Sequence, residues 1–268
     1  MPDPALARSL LPLATRLSDA ARAAILPIFR TAAASNPQNK DLNGFDPVTE
    51  ADRASERVMR EIITAERPDD GIEGEEYGST PGTSGLTWYL DPIDGTRAFV
   101  AGLPSWCVLI GLVKDGNPIL GIIDQPWLDE RYVGVGDEAW LDCRGARTKL
   151  KTRDCPQLTQ AVLSTTDPFI LTPPERGAFE HIRATARLTR YGLDAYAYAR
   201  LAAGTIDMVI ESGLKPHDVA ALFPVIEGAG GVVTDWRGGP AQLGGQIVAA
   251  ANRTILDEAL ISLRRSAL

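Results

Sequence analysis

Apolar positions Leu6, Leu10, Leu13, Leu17, Ala21, Ala24 and Ile28 recur three or four apart. That spacing predicts a helix over residues 4–34, with Pro12 and Pro27 as points where it bends or breaks. Residues 36–47 are polar, include Lys40, and read as a loop. Ala51, Ala54, Val58 and Ile62 give a second helical stripe over residues 49–66. Thr49 is its expected N-cap, and Asp52 holds the capping-box position. Residues 71–78 alternate glycine with acids and read locally as a charged turn, followed by a Ser/Thr/Gly/Pro connector over residues 79–85.

The apolar run ending at Leu90 then reads as a buried strand. Residues 107–113 and 119–123 read as two more, joined by the hairpin turn Lys114-Asp115-Gly116-Asn117. Short strands at 130–135, 139–141 and 148–150 extend a meandering antiparallel sheet. Beyond a composition shift at 153–157 the pattern alternates. Strands are expected at 161–164, 188–191, 206–211, 232–235 and 246–250, and helices at 174–185, 194–203, 217–229 and 254–264. Such alternation implies a sheet sandwiched by helices. The chain therefore divides into residues 1–152 and 153–268.

Composition adds limits rather than identity. The 268 residues can bury a sizeable core, and 44% hydrophobic and 23% charged content are those of a globular protein. A net charge of -8 disfavours non-specific nucleic-acid binding, and an acidic protein acting on a phosphate needs cations in its site. Cys107, Cys143 and Cys155 lack zinc-site spacing, and two histidines are too few for a His-rich metal site. No leader-type stretch and no run long enough for a membrane span is seen, so the expected setting is cytoplasmic, without membrane or nucleic-acid partners.

The chemistry concentrates in Asp91-Pro92-Ile93-Asp94-Gly95-Thr96, where a strand ends in two carboxylates, a proline, a glycine and a hydroxyl. Pro92 fixes one φ and Gly95 allows a sharp turn, so both carboxylates and an intervening carbonyl can aim at one point. Oxygen ligands of this kind suit a hard divalent cation such as Mg²⁺. Gly95 and Thr96 offer N–H groups and a hydroxyl suited to phosphate. Two residues separate the aspartates, unlike the Asp-x-Asp of phosphatases that attack with an aspartate. Glu75 or Glu76 is a candidate third carboxylate, and Asp218, at the start of an apolar helix, a further one. Plain alternatives stand beside each: an Asp-rich capping turn for the motif, a solvated turn for the glutamates, and first-turn helix acids for Asp52 and Asp218.

Gly74-Glu75-Glu76, Asp91 to Thr96, and Asp218 followed by Glu227-Gly228-Ala229-Gly230-Gly231 together resemble the inositol monophosphatase superfamily, in order along nearly the whole chain. Tyr191 to Tyr198, Val209 to Pro216 and Gly121 to Pro126 are most similar to histidinol-phosphate phosphatases. The resemblance implies an α/β (α+β) fold, a layered α-β-α-β-α sandwich of the inositol monophosphatase and fructose-1,6-bisphosphatase type. It implies Mg²⁺-dependent hydrolysis of a phosphate monoester with two or three ions per site, a small phosphorylated metabolite as substrate, and a homodimer. Glu75, Asp91, the Ile93 carbonyl, Asp94 and Asp218 would bind metal. Asp52, in Thr49-Glu50-Ala51-Asp52, would pair with Thr96 to activate water, with Glu75 also catalytic. Gly95, Thr96, Arg97, Asp194, Glu211 and Asp218 would contact substrate, Asp194 being the better mark of histidinol phosphate and also a plausible N-cap. His217 departs from the family's usual Trp or Tyr and is expected to pack beside the site rather than bind metal. The competing expectations are an inositol-1-phosphate or other sugar-phosphate phosphatase, and a non-catalytic metal-binding protein.

Overall fold

The structure is a computed structural model that describes residues 4–34, 38–39 and 47–268. Helix α1 (Pro4–Ile25) buries Leu10, Leu13, Ala14, Leu17, Ala21 and Ile25 along one stripe. It tolerates Pro12 but stops at Ile25, short of the expected residue 34, and turns follow it. Pro27 explains the stop, since it lacks an N–H and pushes its predecessor out of the helical region. Strands β1 (Gln38–Asn39) and β2 (Pro47–Val48) pair antiparallel, so the expected loop carries a short paired base. Lys40 lies outside the described residues.

Helix α2 (Glu50–Glu66) starts at Thr49 with the reciprocal capping box to Asp52 in place. Next, β3 (Gly71–Gly74) and β4 (Gly78–Thr80) replace the expected charged turn and part of the connector. The cause lies in tertiary pairing: β3 runs parallel to β5 (Leu86–Asp94). The buried Glu56 carboxylate also clamps the segment, accepting the N–H groups of Glu76 at 2.7 Å and Tyr77 at 3.2 Å while Arg60 donates to it at 2.7 Å. Gly74 is required there, because a Cβ would sit 1.9 Å from Glu56 Oε1.

After α3 (Thr96–Val100) come β6 (Cys107–Lys114), β7 (Asn117–Gln125), β8 (Glu130–Val135), β9 (Glu138–Cys143) and β10 (Ala146–Lys149). They complete an eight-stranded sheet of order β10-β9-β8-β7-β6-β5-β3-β4, antiparallel except for β3 against β5. The remainder runs β11 (Val162–Thr165), α4 (Pro173–Thr185), β12 (Leu188–Tyr191), α5 (Ala195–Ala202), β13 (Met208–Leu214), α6 (Pro216–Val219), α7 (Leu222–Gly228), β14 (Val232–Thr234), β15 (Gly245–Ala250) and α8 (Arg253–Leu263). Its five strands are ordered β12-β11-β13-β15-β14, parallel through β13 and antiparallel beyond it. The single helix expected over 217–229 is two pieces. Pro224 cannot donate to the carbonyl of Ala220 and its ring crowds that group, which breaks the helix between α6 and α7.

Alternation within the strands sorts the core into layers. Val108, Ile110 and Leu112 of β6 pack with α1 and α2, whereas Cys107 and Leu109 face the core shared with α5 and α7. In the second sheet Val209 joins that middle core, while Met208 and Ile210 pack with α4 and α8. Each fully buried aliphatic side chain contributes roughly 1.5–3 kcal/mol, so the alternation fixes strand register firmly. The result is a mixed α/β fold layered α-β-α-β-α. Among the described residues no helix is long and apolar enough to cross a membrane.

Candidate active site

Residues three apart on a regular strand point to opposite faces. Asp91 and Asp94 escape this because β5 bulges between them: Asp91 lies opposite Leu109 of β6 and Asp94 opposite Cys107, three steps against two. The extra residue brings both carboxylates to the same side. Gly95 then turns the chain at φ 86° into α3. Asp218 arrives from the first turn of α6, where its Oδ2 accepts the Lys215 N–H at 2.7 Å. Ligand oxygens of Asp91, Asp94 and Asp218 all fall within 4.8 Å of one another.

This is a buried acidic cluster, and its electrostatics are unfavourable without a cation. Burial, then the charges of Glu75, Asp94 and Asp218, raise the Asp91 carboxyl well above the usual range, and a hydrogen bond with the Glu75 side chain adds to this. Asp94 is raised by burial and then by Asp194 and Asp218, against the opposing Ala195 N–H. Asp218 is raised by burial, with His217 opposing; His217 Nε2 stands 3.3 Å from Asp218 Oδ1. Closely spaced carboxylates with no nitrogen or sulfur donor among them fit a hard divalent cation.

Of the two alternatives for the third carboxylate, Glu75 and not Glu76 lines a single cavity of about 230 Å³, and with one exception every other site residue named from the sequence lines it too. Glu75, Asp91, Ile93, Asp94 and Asp218 form its acidic end, and Gly95, Thr96, Arg97, Asp194 and Glu211 the rest. The exception is Asp52, which is not in the lining. Its Oδ2 accepts the Thr49 N–H at 2.7 Å and the Thr49 hydroxyl at 2.5 Å. Oδ1 is buried without a partner. The expected Asp52–Thr96 pair is therefore not formed. The capping box holds Asp52, and the Thr96 hydroxyl donates to the Ile93 carbonyl at 3.1 Å. Burial raises the Asp52 carboxyl to about 7, the Thr49 hydrogen bonds opposing and Glu76 and Glu75 adding to the rise.

Asp194 occupies the N-cap position of α5 at φ 47° but makes no capping bond. Asp94 replaces it, its Oδ2 accepting the Ala195 N–H at 2.5 Å. Burial lifts Asp194 to about 6, with Arg97 opposing. Glu211 ends the regular part of β13, before a second bulge, and accepts from Thr166 N–H at 2.7 Å and the Thr166 hydroxyl at 3.0 Å. Burial still raises it to about 8. The lining also includes Thr166, Ile170, Tyr198, Leu214 and Leu222, which the sequence reading did not assign to the site. For Tyr198 a signal existed, since it lies four residues after Asp194 on the same helix face.

The inositol monophosphatase family profile matches residues 9–268. The chain is 46% identical over 205 residues to the chloroplastic bifunctional phosphatase IMPL2 of Arabidopsis thaliana, a match covering 74% of this chain and 57% of that one. It is 37% identical over 221 residues to the histidinol-phosphatase of Mycobacterium tuberculosis, covering 81% and 84% respectively. A solved inositol monophosphatase from Zymomonas mobilis superposes with a TM-score of 0.83 at 42% identity, over 96% of this chain and 98% of that one. With Glu75, Asp91, Asp94 and Asp218 of its three motifs in one cavity and the family match spanning both sheets, the chain belongs to the inositol monophosphatase family of phosphatases.

Proposed function

We propose that the protein is a Mg²⁺-dependent phosphatase of histidinol phosphate. The observation that carries the substrate choice is the position of Asp194 and Glu211, two carboxylates lining the same cavity as the acidic cluster but outside it. Histidinol phosphate bears an ammonium and an imidazole, which the Asp194 carboxylate complements by charge and the Glu211 carboxyl by hydrogen bonding. The likeness to the M. tuberculosis histidinol-phosphatase supports this reading. A second reading, an inositol or other sugar-phosphate phosphatase, is favoured by the likeness to the Z. mobilis enzyme. Glu211 serves either, since a carboxylate also accepts from hydroxyls.

Glu75, Asp91, the Ile93 carbonyl, Asp94 and Asp218 would hold the metal. Bound Mg²⁺ would supply an acidified water and charge neutralisation at the phosphate and the leaving oxygen. The chain's own residues do the positioning. Gly95 and Thr96 offer backbone N–H groups to the phosphate. The Thr96 hydroxyl bonds the Ile93 carbonyl and so orients it. Asp52, raised to about 7, can hold or release a proton near neutral pH behind Glu75 and Glu76. No side chain need be phosphorylated. In this reading residues 1–152 supply the main metal motif, and residues 153–268 supply Asp218 and the substrate-selecting acids. The reading includes a homodimer, to be checked by light scattering; the exposed apolar residues Leu103, Phe169 and Tyr191 around a neighbouring groove support it.

A substrate panel tests the proposal. Purified protein with Mg²⁺ should turn over histidinol phosphate more efficiently than inositol 1-phosphate or fructose 1,6-bisphosphate. Efficient hydrolysis of inositol 1-phosphate with histidinol phosphate ignored would overturn the substrate, and no hydrolysis of any would favour a non-catalytic metal-binding protein.

A further inference from the structure

Tyr198 lies one helical turn after Asp194 on α5, and its side chain lines the active-site cavity while being only 2% exposed. The hydroxyl is buried and has no hydrogen-bond partner. A tyrosine O–H normally finds a partner when buried, and leaving it unpaired is unfavourable. Among the described residues, the other buried side-chain atoms without a partner are Ser18 Oγ, Asp52 Oδ1, Ser55 Oγ and Trp106 Nε1. None of those residues lines this cavity. Of these residues, Tyr198 therefore borders a space that a ligand can enter.

Its surroundings define what it can meet. Burial, then the carboxylates of Glu211, Asp94 and Asp218, keep the phenol in its neutral O–H form. Asp94 and Asp218 belong to the acidic cluster, and Glu211 stands on the side proposed for the leaving group. The hydroxyl is thus under the influence of both ends of the cavity and bonded to neither. A neutral phenol can accept from an ammonium or a hydroxyl, and can donate to the latter.

We propose that Tyr198 is a specificity-determining residue whose hydroxyl hydrogen-bonds the substrate's polar substituent on the carbon next to the ester carbon. An amino alcohol phosphate presents an ammonium there, and a cyclic polyol phosphate a hydroxyl. The inference rests on the phosphatase reading but not on which of the two substrates wins. Because the hydroxyl has no partner within the chain, its removal costs the free protein nothing, whereas it costs the substrate complex a hydrogen bond.

The test is Tyr198→Phe, assayed with Mg²⁺ on whichever of histidinol phosphate or inositol 1-phosphate the wild type prefers. The expected result is a KM raised about tenfold, the worth of one hydrogen bond. Three further readings should stay in place: kcat largely retained, the inhibition constant of inorganic phosphate unchanged, and the melting temperature of the free protein equal or higher. A lower melting temperature would show that the hydroxyl serves the fold. A phosphate inhibition constant that rises with KM would show that it acts on the phosphoryl group. An unchanged KM, or a loss confined to kcat, would overturn the proposal directly. A wild type inactive on both substrates would sink the phosphatase reading and this inference together, while an active wild type with an indifferent variant would sink the inference alone.

Discussion

Asp94 accepts the backbone N–H of Ala195 at 2.5 Å, tying the end of β5 to the start of α5 across 101 positions of sequence. The same carboxylate belongs to the acidic cluster, and the helix it caps carries Asp194 and Tyr198. The proposed metal position and the proposed substrate wall are therefore held in one register by one bond. Asp94→Asn keeps an oxygen that can cap α5 but removes a charge from the cluster. Turnover should fall by roughly 100-fold or more. In chelator the variant should melt no lower than wild type, because burial and neighbouring carboxylates already disfavour the Asp94 charge. The rise in melting temperature on adding Mg²⁺ should shrink. Near-wild-type turnover would contradict the mechanism.

Asp194 bears on substrate choice separately from turnover. Its carboxylate, raised to about 6 by burial and opposed by Arg97, is ionised in most molecules above neutral pH. Asp194→Asn should lower kcat/KM for histidinol phosphate by about 10- to 100-fold, the worth of a hydrogen bond to a charged group. Inositol 1-phosphate, which carries no ammonium, should lose far less. Equal losses on both substrates would remove Asp194 as the discriminator.

Local signals made part of this legible in the sequence, and long-range pairing hid the rest. The Thr49–Asp52 capping box was readable because all its bonds fall within three residues. The hairpin of β6 and β7 was readable from its two apolar runs and Asp-Gly turn. Strand β3 was not, because Gly71-Ile72-Glu73-Gly74 has no apolar alternation and owes its conformation to β5 and the Glu56 clamp. The site residues could be named from motifs, but the bulge that turns Asp91 and Asp94 the same way is a property of pairing with β6. The same limit applies to Asp52, whose bond to Thr49 in place of Thr96 depends on three-dimensional placement. Tyr198 was masked because an aromatic in an Ala-rich helix reads as core.

Gly95 joins backbone conformation to the substrate wall. At φ 86° it adopts a conformation that costs an L-residue roughly 1–2 kcal/mol. A Cβ would also stand 3.0 Å from Asp194 Oδ2, closer than ordinary contact. Gly95→Ala should therefore lower stability by about 1–2 kcal/mol in urea denaturation. It should also raise KM by displacing Asp194. A variant with wild-type stability and KM would show that the turn has more freedom than its geometry implies.

Glu211 gives the clearest pH signature. Burial holds its carboxyl at about 8, against an ordinary 4.5, so the folded chain binds a proton there that the unfolded chain has released. Below pH 4.5 both states are protonated and the contribution is fully present. Between 4.5 and about 8 the native state holds more protons, so stability falls as pH rises, by up to about 1.4 kcal/mol per pH unit from this group. Asp194 faces Glu211 and titrates in the same direction, while the Thr166 N–H and hydroxyl oppose the shift. Glu211→Gln keeps an acceptor for Thr166 but cannot ionise. Measured in chelator from pH 5 to pH 9, its melting temperature should decline less steeply than that of wild type, with the two curves diverging most at the alkaline end. Parallel curves would mean that Glu211 is solvated in the free protein and ionises at its ordinary pKa.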